Sequence, residues 1–500
     1  MPDRRATTSR GAATSDQDTR PAGRDTQGTA PDAVVVGGGI AGLVAARELA
    51  IAGLRPLVLE AWTSPGGVVG RHEVDGLRLD AGAESFATRG GSVAALADEL
   101  GLTDRVVAPE PHGAWVRLPH GAGPLPRTGL LGIPADPWAP DVRRTLGTAG
   151  ALRASLDRVL PASAGLRAGG GPGPTLGGLV RARMGRRVLD RLVRPVVAGV
   201  HAAEPDDTAV DAVAPGLSDA VRRAGSLAGG VAALRALAPA GSAVAGFRGG
   251  LHVLVDALVA DVTARGGDVR TGVRAVAVAR DAGGFRVTVS GPGGEHQVDA
   301  PRLVVATPRA TELLAGVAPG LAGLHTDPGA DIVLVTLVLD APELDSAPRG
   351  TGVLVARAVP GVRAKALTHA TAKWGWLADA AGPGRHVVRL SYGRAGDVPG
   401  ADPLPGDLPG LTALALRDAS AVLGVPLRAE QVRASARVGW RQGLPVPTAA
   451  HRSTVREVRE AVAAVPGLAV VGAWVSGNGL ASVVPDARAT ASALAAAPTA

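Results

Sequence analysis

The hydrophobic pattern between residues 33 and 60 predicts a strand, a helix and a second strand in close succession. A short β-branched run at Ala33–Val36 is typical of a buried strand. Apolar residues then recur at helical spacing until Gly53 ends the pattern, and Leu57–Leu59 form a second apolar run. This order of elements indicates a βαβ unit, whose two strands lie parallel in one sheet.

Three glycines between the first strand and the helix follow the pattern G-x-G-x-x-G. Gly37 makes a tight turn, Gly39 lets the backbone approach a pyrophosphate, and Gly42 lets the helix pack closely against the strand. The helix N-terminus offers N–H groups and a positive dipole end to that pyrophosphate. Glu60 ends the second strand, where an acid accepts hydrogen bonds from a ribose. The pattern predicts dinucleotide binding and disfavours NADP, while FAD and NAD both stay open.

Other apolar segments predict the remaining strands of two sheets. The buried run at 303–306 and the run at 468–471 suit later strands of a parallel sheet. The stretches 331–339 and 386–392 alternate in hydrophobicity, which predicts a second, sheet-rich domain. A glycine-containing loop at 472–479 then leads into a helix over 483–494, so a second helix N-terminus can face a cofactor.

The middle of the chain, 109–246, predicts mainly helices. Proline-rich loops lead into segments of Ala, Leu and Arg with helical period. The clearest predicted helix is Arg181–Val197, with apolar residues on one side and arginines on the other. The arginine side is typical of a solvated face, and contact with anionic lipid head groups is the alternative.

Composition narrows the classes of function. The 500 residues are 46% hydrophobic and 19% charged, which indicates a globular protein of more than one domain. The net charge of +7 forms no dense basic block, so a nucleic-acid partner is not expected. The absence of cysteine excludes disulfides, thiolate metal sites, a cysteine nucleophile and flavin attachment through a cysteinyl thioether, and no metal site is predicted.

The N-terminal 31 residues are polar and of mixed charge, which predicts a disordered extension and not a signal peptide. No apolar run of about eighteen residues is free of charges or helix breakers, so a membrane-spanning helix is not expected. The expected location is the cytoplasm, with peripheral membrane contact left open.

Several motifs in this chain resemble the flavin-containing amine oxidase superfamily and, within it, the protoporphyrinogen/coproporphyrinogen III oxidase family. The N-terminal glycine motif, Glu60 and the C-terminal glycine loop carry the resemblance to the superfamily. The narrower resemblance covers about 33–494. Its motifs are Gly132–Pro134, Leu192–Val200 before Glu204–Asp206, Phe247–Leu251, Lys373-Trp374, Val388–Gly393, and Trp440–Pro445 followed by His451.

The resemblance implies an α/β fold with a Rossmann-like FAD-binding domain, a sheet-rich substrate-binding domain and a helical insertion. The predicted boundaries are 1–31 for the disordered extension, 32–108, 247–320 and 437–500 for the FAD-binding domain, 109–246 for the helical insertion or substrate cap, and 321–436 for the substrate-binding domain.

The resemblance also implies a set of contacts with non-covalently bound FAD. The implied cofactor-binding residues are Gly37, Gly38, Gly39, Ile40, Ala41, Gly42, Glu60, Ala61, Gly66, Gly67, Val68, Gly82, Ala83, Glu84, Ser85, Val273, Trp440, Gly472, Gly479, Leu480 and Ala481. Of these, Gly82 to Ser85 would face the isoalloxazine side and Val273 the adenine side.

The implied reaction is oxidation of a porphyrinogen in heme biosynthesis, with coproporphyrinogen III the leading substrate and protoporphyrinogen IX the alternative. A meso carbon gives a hydride to flavin N5, a pyrrole N–H loses a proton, and O2 reoxidises the flavin with release of H2O2. Repeated steps reach the porphyrin, which a ferrochelatase-type partner would use. Lys373 and Arg389 are candidates to bind substrate propionates. No catalytic base is identified, and His201, His369 and His451 are each expected to be structural.

Three other hypotheses stay open. The first is an amine oxidase or desaturase of the same fold, although a single tyrosine leaves little for an aromatic cage. The second is a diverged flavoprotein or porphyrin-binding chaperone with weak activity. Departures from the family pattern support it: Val68, Val446, Pro447 and Ala473. The third is an NAD-dependent dehydrogenase.

Overall fold

The computed structural model describes residues 23–24, 30–126, 129–166, 174–201, 203–236, 243–324, 329–357, 359–394, 403–444 and 448–498. Most of the predicted N-terminal extension therefore lies outside the described residues. Within it, Gly23–Arg24 pairs in parallel with His296–Gln297, so these two residues form a short strand where disorder was expected.

A five-stranded parallel sheet carries the βαβ unit. Its strands stand in the order Asp268–Thr271, Pro56–Glu60, Ala33–Val36, Leu303–Val305 and Leu468–Val470. In chain order this is 3-2-1-4-5, the arrangement of a doubly wound dinucleotide-binding sheet. Val35 lies between Val58 and Val304 in register, and Val304 pairs onward with Ala469. The strands predicted from apolar runs are thus confirmed as neighbours in one sheet, which we call the dinucleotide sheet.

Two different layers cover this sheet. Helices Ile40–Ile51, His252–Ala264 and Leu480–Ala496 pack on one face. The other face is covered by an antiparallel meander of Arg274–Asp281, Gly284–Gly291 and Gly294–Ala300. Ten of the twelve residues of the first helix are buried, which agrees with its apolar sequence.

The α-helices have the following bounds. They are Ile40–Ile51, Ser92–Glu99, Pro140–Ser155, Leu176–Met184, Arg186–Val188, Arg194–His201, Val210–Val213, Leu217–Ala224, Leu227–Ala236, His252–Ala264, Ala310–Leu314, Ala370–Lys373, Gly375–Ala381, Leu408–Leu423, Ala449–Ala463, Ala473–Ser476 and Leu480–Ala496. Across the described ranges, none of the helices combines the length and the hydropathy that a membrane span requires.

A seven-stranded mixed sheet forms the second layered unit, which we call the large sheet. Its order is Val432–Leu444, Ala330–Asp340, Arg385–Tyr392, Ala366–His369, Gly352–Val355, Trp115–Leu118 and Gly121–Pro124. The last two strands correct the interpretation of 109–246 as loops and helices, because residues 115–124 form an edge hairpin. Their pattern is short and rich in glycine, so pairing with Gly352–Val355 decides their structure.

Smaller sheets pair short strands. Val244–Phe247 lies between Phe86–Ala87 and Val106–Val107, Arg71–Val74 pairs with Leu77–Asp80, and Gly129–Leu130 pairs with Ile133–Pro134. The predicted α/β fold class with two sheet-containing units and a helical region is confirmed. The residue boundaries of the three domains stay predictions.

The helical region corrects the prediction of one helix over Arg181–Val197. The chain breaks at Gly185, which has φ +89°, and a π-helical turn at Leu189–Val193 follows. The predicted solvated arginine face is only partly formed, since Arg181, Arg186 and Arg187 are exposed and the other arginines of this stretch are not. Arg183 is fully buried, and Arg194 pairs with Glu204 and Asp206. A helical period alone does not distinguish an arginine that faces solvent from one that is buried with an acid.

Arg183 and Asp157 form the central ion pair of the helical region. The Arg183 Nε donates to Asp157 Oδ1 at 2.5 Å, and the rest of the guanidinium donates to five backbone carbonyls, among them Gly225 O at 2.7 Å. Asp157 also accepts the amides of Leu227 and Ala228 at 2.9 and 2.8 Å. Because both side chains are buried, the pair joins three segments of the helical region.

Replacement of Asp157 by alanine should lower the free energy of unfolding by about 3–5 kcal/mol, because Arg183 would be left as an uncompensated buried charge. Chemical denaturation followed by circular dichroism measures the change. Asp219→Ala is the matched control, since Asp219 pairs with Arg222 at the surface and such pairs contribute about 0–1 kcal/mol. Equal losses in the two variants would contradict the assignment.

Candidate functional site

The turn after the first strand depends on glycine at two positions. Gly37 has φ +107°, and its N–H donates to Leu59 O at 2.8 Å. A Cβ at Gly42 would lie 1.9 Å from Gly37 O, a distance too short for any side chain to be accommodated. The helix can therefore approach the strand only because both residues lack a side chain.

Glu60 connects this turn to the end of the second strand. Its Oε2 accepts the Gly38 N–H at 2.7 Å, and its Oε1 accepts the Trp62 N–H at 2.8 Å. The carboxylate is buried and held in one orientation. Because each carboxylate oxygen has a second lone pair, Glu60 can still accept a ribose hydroxyl.

Gly39 leaves open space above the first helix. It precedes Ile40–Ile51, and a Cβ built on it would meet no protein atom within 4 Å. The Gly66 N–H donates to Gly38 O at 2.8 Å, which brings Gly66 and Gly67 beside the turn. Ile40, Ala41 and Gly42 form the first turn of the helix next to this space, and all three are buried. The backbone thus offers a cradle that fits a pyrophosphate.

A second group of predicted residues meets below the turn. The Ala83 N–H donates to Val68 O at 2.8 Å, and a Cβ on Gly82 would lie 2.2 Å from that oxygen. Trp440 lies on the strand Val432–Leu444 of the large sheet, and its Nε1 donates to Ala81 O at a distance of 3.0 Å. The structure therefore brings Val68, Gly82, Ala83 and Trp440 together.

Lys373 and Arg389 converge on Glu84. Arg389 Nη2 lies 2.9 Å from Glu84 Oε1, and Lys373 Nζ lies 3.7 Å from Oε2 and 3.4 Å from Ser85 Oγ. Burial lowers the pKa of Lys373, and the Glu84 carboxylate opposes that shift. Arg389 also donates to Asp80 O at 3.0 Å. Both cations are thus engaged with segment 80–85, and a contact with substrate stays a prediction.

Asp80 and His252 are partners that the sequence analysis missed. Asp80 Oδ1 accepts the His252 N–H at 3.3 Å and lies 3.4 Å from its Nδ1. Gly250, with φ +101°, places the chain so that a Cβ there would lie 2.9 Å from the carboxylate. The close approach to Asp80 therefore explains Gly250, the second glycine of Phe247–Leu251.

The C-terminal glycine loop has a second open helix N-terminus. Gly479 has φ +101°, and a Cβ at either Gly477 or Gly479 would meet nothing within 4 Å. Leu480 and Ala481 begin the helix Leu480–Ala496, while Gly472 begins the short helix before the loop. Val273 lies at the other end of the site, where its N–H donates to Glu60 O at 2.9 Å. Ala61 stands between Glu60 and Trp62.

A pocket of about 690 Å³ adjoins this loop. Four arginines, Arg89, Arg452, Arg456 and Arg459, line it together with Ser476, Gly477 and Asn478. Arg459 donates to Asp486 at 2.6 Å, and Asp211 is engaged with Ser218. Arg452 and Arg456 lie one turn apart on Ala449–Ala463 and are both exposed. The helical spacing of Arg452, Arg456 and Arg459 is the sequence signal for an arginine face on this helix, and the sequence analysis missed it.

The three histidine candidates separate in space. His451 is buried and lines the pocket. His369 lies in another network, where its Nε2 is 3.0 Å from His386 Nδ1 and Asp345 is 2.8 Å from His386 Nε2. Burial, with a smaller effect of His386, lowers the pKa of His369 to about 3, so this ring is neutral at physiological pH. The side chain of His201 lies outside the description, as do Val446 and Pro447.

The fold and these two open helix N-termini define a flavin-binding oxidoreductase scaffold. Residues 40–497 match the family model for flavin containing amine oxidoreductases, and the chain belongs to that family. More narrowly, it is 32% identical to coproporphyrinogen III oxidase from Mycobacterium tuberculosis (strain ATCC 25618 / H37Rv), over 90% of this chain and 94% of the relative. It is 25% identical to the protein of the same name from Bacillus subtilis (strain 168), over 92% and 97%.

A solved structure supports the same relationship. The crystal structure of a provisionally assigned protoporphyrinogen oxidase from Exiguobacterium sp. 255-15 matches with a TM-score of 0.74 and 27% identity, over 95% of this chain and 98% of that one. The predicted membership of the porphyrinogen oxidase group within the flavin amine oxidase superfamily is therefore confirmed.

Replacement of Gly39 by alanine should weaken flavin dinucleotide binding at least tenfold while the apoprotein keeps its stability within about 0.5 kcal/mol. The new methyl group meets no protein atom but enters the space above the helix N-terminus. Titration calorimetry and thermal denaturation measure the two effects. Gly42→Ala is the contrasting variant, since its methyl group clashes with Gly37 O and should reduce stability. Unchanged binding by Gly39→Ala would contradict a pyrophosphate site here.

Proposed function

We propose that this protein oxidises coproporphyrinogen III to coproporphyrin III in heme biosynthesis, with non-covalently bound FAD as cofactor and O2 as oxidant. The observation that carries the substrate choice is the arginine-lined pocket beside the C-terminal glycine loop. The names and the coverage of the relatives support a porphyrinogen as the substrate class.

The described residues fit both the nucleotide end and the ring end of FAD. The cradle at Gly39 suits the pyrophosphate, Glu60 suits the ribose, and the backbone of 82–85 with Trp440 forms a wall for a flat ring. Bound FAD would accept two electrons per cycle and pass them to O2, which gives H2O2. The chain's own residues bind and orient the reactants and exclude competing reactions.

The pocket suits a ligand with several carboxylates. Its volume falls in the range of about 300–1,000 Å³ that is usual for ligand sites. Arg452 and Arg456 make no ion pair with a described acid, so their guanidinium groups can donate bidentate hydrogen bonds to a carboxylate. Coproporphyrinogen III carries propionates on all four pyrroles, whereas protoporphyrinogen IX has vinyl groups in place of two. Four arginines against two acids, Asp211 and Glu460, leave the pocket lining with a net positive charge, which favours the former substrate.

His451 is the histidine that we propose to receive a pyrrole proton. Unlike His369, it lines the pocket, and its backbone N–H donates to Thr448 Oγ1 at 3.0 Å at the start of the helix Ala449–Ala463. Lys373 and Arg389 hold segment 80–85 through Glu84, and their contact with substrate propionates remains part of the proposal.

The FAD-loaded protein should raise porphyrin fluorescence faster with coproporphyrinogen III than with protoporphyrinogen IX. Both substrates are supplied in air, with catalase present and an enzyme-free control for autoxidation. No rise above autoxidation from protein that still holds FAD would refute the proposed oxidase. Under anaerobic conditions, substrate should bleach the flavin absorbance, whereas a protein that only binds porphyrin would leave it unchanged.

Replacement of Arg456 by glutamate should raise the KM for coproporphyrinogen III about tenfold or more, because a charged hydrogen bond contributes about 1.5–3 kcal/mol. The kcat should change less, since Arg456 binds the substrate periphery. Arg143→Glu is the matched control, an exposed arginine on Pro140–Ser155 that does not line the pocket. Equal KM values for Arg456→Glu and Arg143→Glu would show that the pocket does not bind the substrate.

A cytoplasmic location with peripheral membrane contact is the proposal for where this protein acts, and a ferrochelatase-type enzyme is the proposed user of its product. Trp138, Leu152, Leu156 and Val159 are exposed by 43, 61, 48 and 78%, and the Trp138 Nε1 bond to Ser155 places them side by side. Such a patch suits the interface of an anionic membrane.

Binding to vesicles that contain anionic phospholipid should therefore exceed binding to neutral phosphatidylcholine vesicles in a sedimentation assay. Val159→Asp should abolish the difference without loss of activity in solution. No sedimentation of the wild type with either kind of vesicle, or unchanged sedimentation of Val159→Asp, would contradict the membrane contact.

A further inference from the structure

Trp62 is the most exposed of the seven tryptophans. Trp62 keeps 68% of its surface accessible to solvent, whereas tryptophan is on average strongly buried. Among the described residues, the indole takes part in none of the aromatic or cation–π contacts. The fold therefore does not use this ring for its own packing.

The backbone of Trp62 is nevertheless firmly held. Its N–H donates to Glu60 Oε1 at 2.8 Å, and its carbonyl accepts the Gly272 N–H at 2.7 Å. The next amide, Val273 N–H, donates to Glu60 O at 2.9 Å. A large apolar ring is thus presented to solvent from a fixed position, two residues beyond the ribose acid.

The geometry of a dinucleotide explains this placement. In a bound dinucleotide, the pyrophosphate would lie on the Gly39 side of Glu60, and the adenine, attached to the ribose, would lie on the opposite side. The side chains available there are those of the paired segments 60–62 and 272–273. An aromatic ring stacks well on a nucleobase, and such stacking contributes about 1–3 kcal/mol per base.

We propose that the indole of Trp62 stacks on the adenine ring of the bound dinucleotide and forms the outer wall of the adenine subsite. The proposal rests on FAD as the cofactor, because FMN has no adenine. Trp62 then acts as a positioning residue that determines affinity for the dinucleotide. It also distinguishes FAD from the shorter flavin.

The experiment uses the full chain stripped of flavin, and compares wild type, Trp62→Ala and Trp62→Phe. Trp138→Ala is the matched control, since Trp138 is also exposed but lies in the helical region. Affinities for FAD, ADP and FMN are measured by titration calorimetry. Trp62→Ala should weaken FAD and ADP about tenfold and leave FMN unchanged, and Trp62→Phe should stay within about threefold of wild type.

Two results would overturn the proposal. FAD affinity of Trp62→Ala within twofold of wild type would show that the ring makes no useful contact. An equal loss for FMN and FAD would show that the substitution disturbs the fold. In both cases the wild type still binds FAD, so the proposed function stands, whereas a wild type that fails to bind FAD refutes the function itself.

Discussion

The Glu60 carboxylate is the contact on which the nucleotide end of this protein depends. It accepts amides from the glycine turn and from Trp62, while its own backbone pairs with Val273. A single buried residue, through its side chain and its backbone carbonyl, thus holds the glycine turn, the exit of the second strand and the backbone at Val273 relative to one another. The closeness that this requires is possible only because Gly37 and Gly42 lack side chains.

The second organising contact joins the dinucleotide sheet to the large sheet. Glu84 and the carbonyl of Asp80 belong to the segment after the hairpin, and Lys373 and Arg389 reach them from the large sheet. Trp440 adds a hydrogen bond to the same segment. The surface that we propose as a wall for the flavin is therefore assembled from both units and held by largely buried charges, whose mutual attraction is strong away from water.

Sequence reasoning found the elements whose patterns are local. The βαβ unit, Glu60 and the glycine-rich loops follow from periodicity and from the steric needs of a tight turn. It was less successful where neighbours decide the structure. Residues 115–124 became strands through pairing with Gly352–Val355, Arg183 became buried through Asp157, and the arginine face of Ala449–Ala463 gained meaning only beside the C-terminal loop.

The sequence by itself determined the class of fold and the nucleotide end of the site, because glycine conformation, hydrophobic period and an acid at the strand end act over short distances. Only the tertiary structure decided which cationic side chains pair with an acid of the protein and which line a pocket open to a ligand. The sequence analysis singled out Lys373 and Arg389 and not Arg452 and Arg456. In the structure the first two meet Glu84, and the latter two line an open pocket. Charge pairing depends on distances between residues remote in sequence, and folding alone sets those distances.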